Sequence, residues 1–181
     1  FLINFSMQFI RKYISNFIIY QSKTSKKLWD ENFGKISKPF EIIYNPSFTP
    51  ITKKKIYAKK KILSFDLLIV EGNIDNSDYY IKFLKYLEFA AVKINQINKI
   101  YIFGNVNQNF FQLFKTKKKI IFMRSVSHKY LRKFYNRKNL IFIGFEFNPS
   151  CSNSLIETMP YGIPSLCLNT GSYKELVGKS G

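Results

Sequence analysis

The chain has 181 residues, with 29 Lys and Arg against 11 Asp and Glu and a formal net charge of +18. Hydrophobic residues at 46% and aromatics at 18% suffice for a core, which excludes intrinsic disorder as the main state despite the charge. The two cysteines, Cys151 and Cys167, exclude a disulfide scaffold and favour a reducing, cytoplasmic compartment.

Near the start, Phe5, Phe9, Ile10, Tyr13 and Phe17 stand at helical spacing. The basic pair Arg11-Lys12 follows this apolar run, the reverse of the order in a signal peptide. No apolar stretch approaches the roughly 20 residues of a membrane span. Phe17-Ile-Ile-Tyr20 reads as a short buried strand. Ser22 and Ser25 are candidate caps for a helix carrying Leu28 and Trp29, ending near Phe33-Gly34. Glu41-Ile-Ile-Tyr44 is a further strand, closed by Asn45-Pro46. A loop with Pro46 and Pro50 and the lysine runs Lys53–Lys55 and Lys59–Lys61 reads as linker or solvated surface.

From residue 62 the pattern changes. Strand-like runs are Phe65–Val70, Ile100–Phe103, Ile120–Met123, Leu140–Ile143 and Ser165–Leu168. Between them lie helical stripes: Ile81, Leu84, Leu87 and Ala91; then Phe110, Phe111 and Phe114; then Tyr130, Leu131, Phe134 and Tyr135. Leu155, Ile156 and Met159 form another, and Leu176 and Val177 begin the last. The strands are continuously apolar, as expected when both sheet faces are covered. Strand–helix alternation predicts an α/β domain, a parallel sheet with helices on both faces.

In such a sheet, ligands bind at the carboxyl ends of the strands. The segments there are Glu71-Gly72-Asn73, Gly104-Asn105, Gly144 with Asn148–Ser154, and Asn169-Thr170-Gly171-Ser172. Each is read as a loop, and together they are expected to line one rim. Ser152 or Asn153 is the natural N-cap of the helix carrying Leu155 and Ile156. A helix N-terminus has free N–H groups that attract phosphate. Glu157, about one turn inside, has a chemistry suited to two neighbouring hydroxyls such as a ribose diol. On residue type alone, a first-turn acid favoured by the dipole is the simpler reading of Glu157. His128 reads as a surface or capping histidine, and the cysteines as small buried residues. There is no Ser/His/Asp order, metal-ligand cluster or P-loop.

The charge points toward nucleic acid or an anionic membrane surface. Its make-up argues otherwise. Only Arg11, Arg124, Arg132 and Arg137 are arginines, whereas readers of bases and phosphates favour Arg. Lys is abundant together with Ile, Asn, Phe and Tyr, all encoded by A/T-rich codons. A compositional background on solvated faces explains this without a nucleic-acid partner.

The segment Asn148-Pro-Ser-Cys-Ser-Asn-Ser-Leu-Ile-Glu-Thr-Met-Pro-Tyr-Gly-Ile-Pro164, followed by Asn169-Thr-Gly-Ser-Tyr-Lys-Glu-Leu-Val177, resembles a known signature. It is similar to the donor site of retaining glycosyltransferases of the GT-B fold, the large family that includes sucrose synthase and bacterial mannosyl- and glucosyltransferases. Glu157, Gly162, Pro164, Gly171 and Glu175 fall in register with that pattern. The stretch from Tyr20 to Asn45 resembles the end of the family's first domain and its crossing into the second. The resemblance implies residues 1–48 as a remnant of an N-terminal acceptor-side domain, and 49–181 as a donor-binding domain incomplete at its C-terminus. The abrupt start at Phe1 and end at Gly181 read as a fragment whose missing N-terminal domain would supply the catalytic groups.

The resemblance also implies roles. The substrate would be a UDP-, GDP- or ADP-type nucleotide sugar, used with retention in glycan or glycoconjugate synthesis, with no cofactor and no metal. Glu157 would bind the ribose. Ser152, Asn153 and Ser154 would hold the diphosphate or sugar. Gly72 would admit the phosphates, and Thr170 and Gly171 would line the sugar side. The site would be cytoplasmic, at the inner face of an anionic membrane. The sequence departs from the family at Pro149, where an acid commonly contacts the sugar. It also departs at Thr158 and at Pro160, which should end or kink the helix early. The basic pair after the first strand has no clear counterpart, Asn73, Lys82 and Lys85 standing nearest. Two other readings are a non-catalytic Rossmann-like nucleotide-binding module and a basic nucleic-acid binder.

Overall fold

The computed structural model describes residues 2–47, 64–74, 77–106, 114 and 119–178, with side chains from residue 4. Pro50, both lysine runs, and Phe110 and Phe111 lie outside the described residues.

The contacts divide the chain into two compact units. The first comprises Phe1–Ser47, Phe147–Ile156 and Asn169–Gly181, and the second Phe48–Glu146 and Glu157–Leu168. A single cut after residue 48 does not produce this division, because two later segments join the first unit.

The first unit opens with α1 (Leu2–Phe9), continued by a π-helical turn over Ile10–Ile14. Then come β1 (Ile18–Tyr20), α2 (Lys23–Phe33) and β2 (Phe40–Ile42), with β1 and β2 paired in parallel. Ser22 caps α2 by accepting from the Ser25 amide at 2.7 Å, and Gly34 ends it at φ +82°. The expectation of a buried strand at 17–20 is corrected in part. Tyr20 is buried, but Phe17 and Ile19 are exposed, as suits a two-stranded sheet with an open face. Arg11 is the polar centre here. It is buried, donates from Nε to Tyr20 Oη at 3.0 Å and from Nη1 to the Gly34 carbonyl at 3.1 Å, and pairs with Asp30 at 2.5 Å. Burial alone would raise the Asp30 pKa, but Lys26 and Arg11 outweigh it and hold the carboxyl below its ordinary value. Each of the three guanidinium nitrogens thereby has a partner, which suits a buried charge.

The second unit is a five-stranded, all-parallel sheet in the order β5-β4-β3-β6-β7. Its strands are β3 (Phe65–Ile74), β4 (Ile97–Val106), β5 (Ile120–Arg124), β6 (Leu140–Gly144) and β7 (Ser165–Cys167). The helices α3 (Asp78–Lys93) and α4 (His128–Tyr135) connect them. Alternation along β4 sorts the layers. Ile100 and Ile102 join the core cluster with Leu84 and Ala91 of α3. Tyr101 and Phe103 instead meet the Phe134 ring of α4 edge-on, at 4.8 and 4.9 Å between centroids. Helices therefore cover both faces, which is why the strands read as continuous apolar runs. Phe145, fully buried, stacks on Phe83 of α3 at 4.3 Å and takes Tyr80 edge-on at 5.2 Å.

The helix α5 (Asn153–Thr158) stops early, giving way to a 3-10 turn over Met159–Tyr161. Pro160 lies in that turn, and Gly162 closes it in the left-handed region at φ +65°. The ring of Pro160 cannot continue an α-helix, as the sequence predicted. The last helix is α6 (Tyr173–Val177). Among the described residues no helix is long and apolar enough to cross a membrane.

Candidate functional site

In the second unit the chain order reverses across β3: β4 and β5 lie on one side, β6 and β7 on the other. Open α/β sheets bind ligands at such a reversal, outside the carboxyl ends of the two strands. Those ends are Glu71–Ile74 of β3 and Gly144–Glu146 at and after β6. The segment Glu71-Gly72-Asn73 is not a loop, as the sequence suggested, but the continuation of β3; Gly104 likewise lies inside β4. Between the pairs Val70–Phe103 and Asn73–Asn105 the register slips by one residue, so Glu71 and Gly72 together face Gly104. This is a β-bulge, a device that re-aims side chains near sites. Gly104, at φ +150°, leaves room for it, since a Cβ there would collide with the Glu71 carbonyl. Gly72 has open space around it, so close approach by a ligand remains sterically allowed.

The bulge places an unusual carboxyl. Glu71 Oε1 is buried with no hydrogen-bond partner. Burial, with a smaller push from Glu146, raises its pKa from 4.5 to about 8. Burial raises Glu146 as well. Tyr79 donates its hydroxyl to the Phe145 carbonyl, and its own pKa is raised by burial and by Glu71. Sequence reading named Glu71 only as part of a loop. The one signal that could have found it is a carboxylate directly following four apolar strand residues.

Glu157, also in the second unit, sits on α5 with its side chain 31% exposed. The hydroxyl of Tyr135, on α4, donates to Glu157 Oε2 at 3.4 Å. His128 Nδ1, at the first residue of α4, lies 3.4 Å from Oε1. Tyr135 is 2% exposed and packs edge-on against Tyr161 at 5.2 Å. Burial, then the Glu157 charge, pushes its phenol well above the usual range, so it stays a donor. Tyr135 was expected only as part of an apolar stripe. His128 does start a helix and is 77% exposed, as expected, yet it also faces a site residue.

In the first unit the loops Asn148–Ser152 and Asn169–Ser172 are knitted together. The Asn148 amide donates to Thr170 Oγ1 at 3.3 Å, and the Ser172 amide to the Pro149 carbonyl at 2.8 Å. The Ser152 amide donates to Ser172 Oγ at 3.0 Å, and both serines are fully buried. Gly171, at φ +55°, presses so close that a Cβ would lie 2.5 Å from Pro149 Cδ. Ser22 Oγ donates to the Ser150 carbonyl. Ser152, rather than Asn153, caps α5: its hydroxyl accepts from Leu155 N at 3.5 Å and its carbonyl from Ile156 N at 3.2 Å. Asn153 Oδ1 accepts from Asn45 Nδ2 at 2.6 Å, and Ser154 Oγ lies 3.3 Å from Ser152 Oγ. The first helical amides, those of Asn153 and Ser154, have no intrahelical acceptor. Thus Ser152, Asn153, Ser154, Thr170 and Gly171 fall in the first unit, and Gly72 and Glu157 in the second.

The cysteines are half-buried rather than buried, and unpaired. Burial raises both thiols, which keeps them protonated and poorly nucleophilic. Glu175 Oε1 is buried without a partner, and its charge helps raise Tyr44 and Cys151. Among the described residues no three His, Cys, Asp or Glu side chains gather as metal ligands.

No protein-family model matches the chain. No curated protein sequence matches it either. A solved structure does: a chain of the GtfA/B complex, with a TM-score of 0.67 over 98% of this chain at 12% identity. The match covers 35% of that chain, so this protein spans about a third of its neighbour's length. At such identity the likeness shows the fold alone, and that fold is a Rossmann-like α/β architecture.

Proposed function

We propose that the chain is the donor-binding part of a retaining GT-B glycosyltransferase, one that transfers a sugar from a UDP-, GDP- or ADP-type nucleotide. The observation that carries the reading is Glu157. It lies on a short helix opened by a buried serine cap and closed by Met-Pro-Tyr-Gly, and its part-exposed carboxylate has a fixed donor behind it. Such a carboxylate accepts from the two hydroxyls of a ribose. The amides of Asn153 and Ser154 donate to the diphosphate, with Thr170 and Gly171 toward the sugar and Gly72 toward the phosphates. Catalysis uses groups of an acceptor-side domain. The exposed apolar side chains Phe5, Phe9, Tyr13 and Phe17 of the first unit suit burial by such a domain.

Titration of the full-length protein with UDP, GDP and ADP tests this. One of them should bind in the micromolar range, and Glu157→Ala should weaken it at least tenfold, about 1.4 kcal/mol. Absence of binding by all three, or an unchanged affinity in the variant, would overturn it. A specific observation favours a second reading, the non-catalytic nucleotide-binding module. Pro149 occupies the position where the family commonly carries a sugar-contacting acid, so this loop offers the sugar no side-chain carboxylate there. Nucleotide binding without turnover or slow hydrolysis of any donor would select it.

A further inference from the structure

Glu157 has a feature that the donor-site reading alone does not require. A glutamate has three rotatable bonds, and fixing a free one on a ligand costs side-chain entropy. Here the carboxylate is fixed beforehand. Tyr135 Oη donates to one oxygen and His128 Nδ1 approaches the other, each at 3.4 Å. The tyrosine is the rigid partner. It is 2% exposed, its ring is wedged against Tyr161, and it sits in the last turn of α4, next to the buried Phe134. The histidine is 77% exposed and is free to leave. An ionised carboxylate offers about four lone-pair directions. Tyr135 takes one on Oε2, and His128 stands near Oε1 at the exposed side, so each oxygen keeps at least one direction open. That suits two vicinal hydroxyls, one donor per oxygen.

We propose that Tyr135 is a positioning residue that holds Glu157 in its diol-accepting geometry, and thereby sets a preference for ribonucleotides over 2′-deoxyribonucleotides. The inference rests on the donor-site reading of Glu157. A tyrosine is well suited to this task. Burial keeps the phenol protonated, so the donor never turns off within the physiological range. It contributes geometry without a charge that would compete with the ligand.

The test uses the nucleoside diphosphate that binds the wild-type protein, chosen from UDP, GDP and ADP, and its 2′-deoxy form. Calorimetric titration of wild type, Tyr135→Phe, Glu157→Gln and the double variant measures all affinities. Wild type should prefer the ribonucleotide about tenfold or more. Tyr135→Phe keeps the ring and its Tyr161 contact, so it should fold; a thermal melt checks this. It should weaken the ribonucleotide about three- to tenfold and leave the deoxy form unchanged. Glu157→Gln should abolish the preference, and Tyr135→Phe should then add nothing to it. A wild type that prefers the ribonucleotide while Tyr135→Phe keeps the full preference would overturn this inference and leave the role of Glu157 standing. Additive losses in the double variant would do the same. A wild type that binds both forms equally would overturn the role of Glu157 itself.

Discussion

Replacing Glu71 by Gln isolates the titration of one buried carboxyl. The folded-state pKa is about 8 against an ordinary 4.5, so the native protein holds a proton that the unfolded chain releases between these values. The unfolded state then binds fewer protons, and stability falls as pH rises through the window. The stabilising contribution is therefore complete below about pH 4.5 and gone above about pH 8. A shift of that size sets an upper bound of about 5 kcal/mol at 1.36 kcal/mol per unit. Water reaching the partly exposed side chain reduces the realistic figure to about 2 kcal/mol. Urea denaturation followed by far-UV circular dichroism, from pH 5 to pH 9, measures the difference between Glu71→Gln and wild type. Gln keeps the shape and cannot ionise. The variant should match wild type at pH 5 and exceed it by about 2 kcal/mol at pH 9. The subtraction removes the part of the Glu146 titration that is independent of Glu71. A difference that stays constant within about 0.5 kcal/mol across that range would refute the reasoning, because it would mean that Glu71 is solvated.

Two further substitutions probe the parts that position the loops and the sheet. Gly171→Ala puts a Cβ 2.5 Å from Pro149 Cδ in a left-handed backbone, and should cost about 3 kcal/mol in a denaturant melt; a cost under about 1 kcal/mol would mean that the two loops separate easily. Phe145→Ala removes a fully buried ring stacked between β6 and α3, and should lower stability by about 4 kcal/mol, visible as a large fall in Tm.

Much of the fold was legible because the strands are apolar on both faces. Leu67, Leu68 and Ile69 of β3 and Ile100 to Phe103 of β4 are all buried, and only a two-sided sheet calls for that run. Strand ends were misread for a physical reason. Glycine after an apolar run looks like a turn, but at Gly72 and Gly104 it marks a bulge inside paired strands. The local features around α5 were also readable: the serine cap and the stop at Pro160 depend on backbone chemistry within a few residues. The partners of Glu157 were not. Tyr135 and His128 are 22 and 29 positions earlier (157 − 135 and 157 − 128), and their approach depends on how α4 crosses the sheet. A stripe of Tyr130, Leu131, Phe134 and Tyr135 gives no sign that one hydroxyl is aimed at an acid.

On the donor-site reading proposed above, Pro149 bears on the sugar. In the family that the proposed reading invokes, an acid commonly stands at this position, so on that reading Pro149 marks either decay or replacement. The local structure favours replacement. Asn148 adopts a left-handed backbone at φ +54°, which suits Asn better than most residues. Pro149 then locks the next φ, its ring meets Gly171, and its carbonyl takes the Ser172 amide at 2.8 Å. Three neighbouring choices, Asn148, Pro149 and Gly171, are thus mutually consistent, whereas drift after loss of function gives no reason for a tight fit. A proline cannot accept from sugar hydroxyls through its side chain, so any sugar contact from this loop falls to backbone groups and to Thr170. Thr170 Oγ1 accepts from the Asn148 amide, which leaves the hydroxyl its own proton to donate and one further lone pair to accept with. On that reading, a sugar contact from this loop would come from neutral groups, the backbone and Thr170, where the family commonly presents a carboxylate.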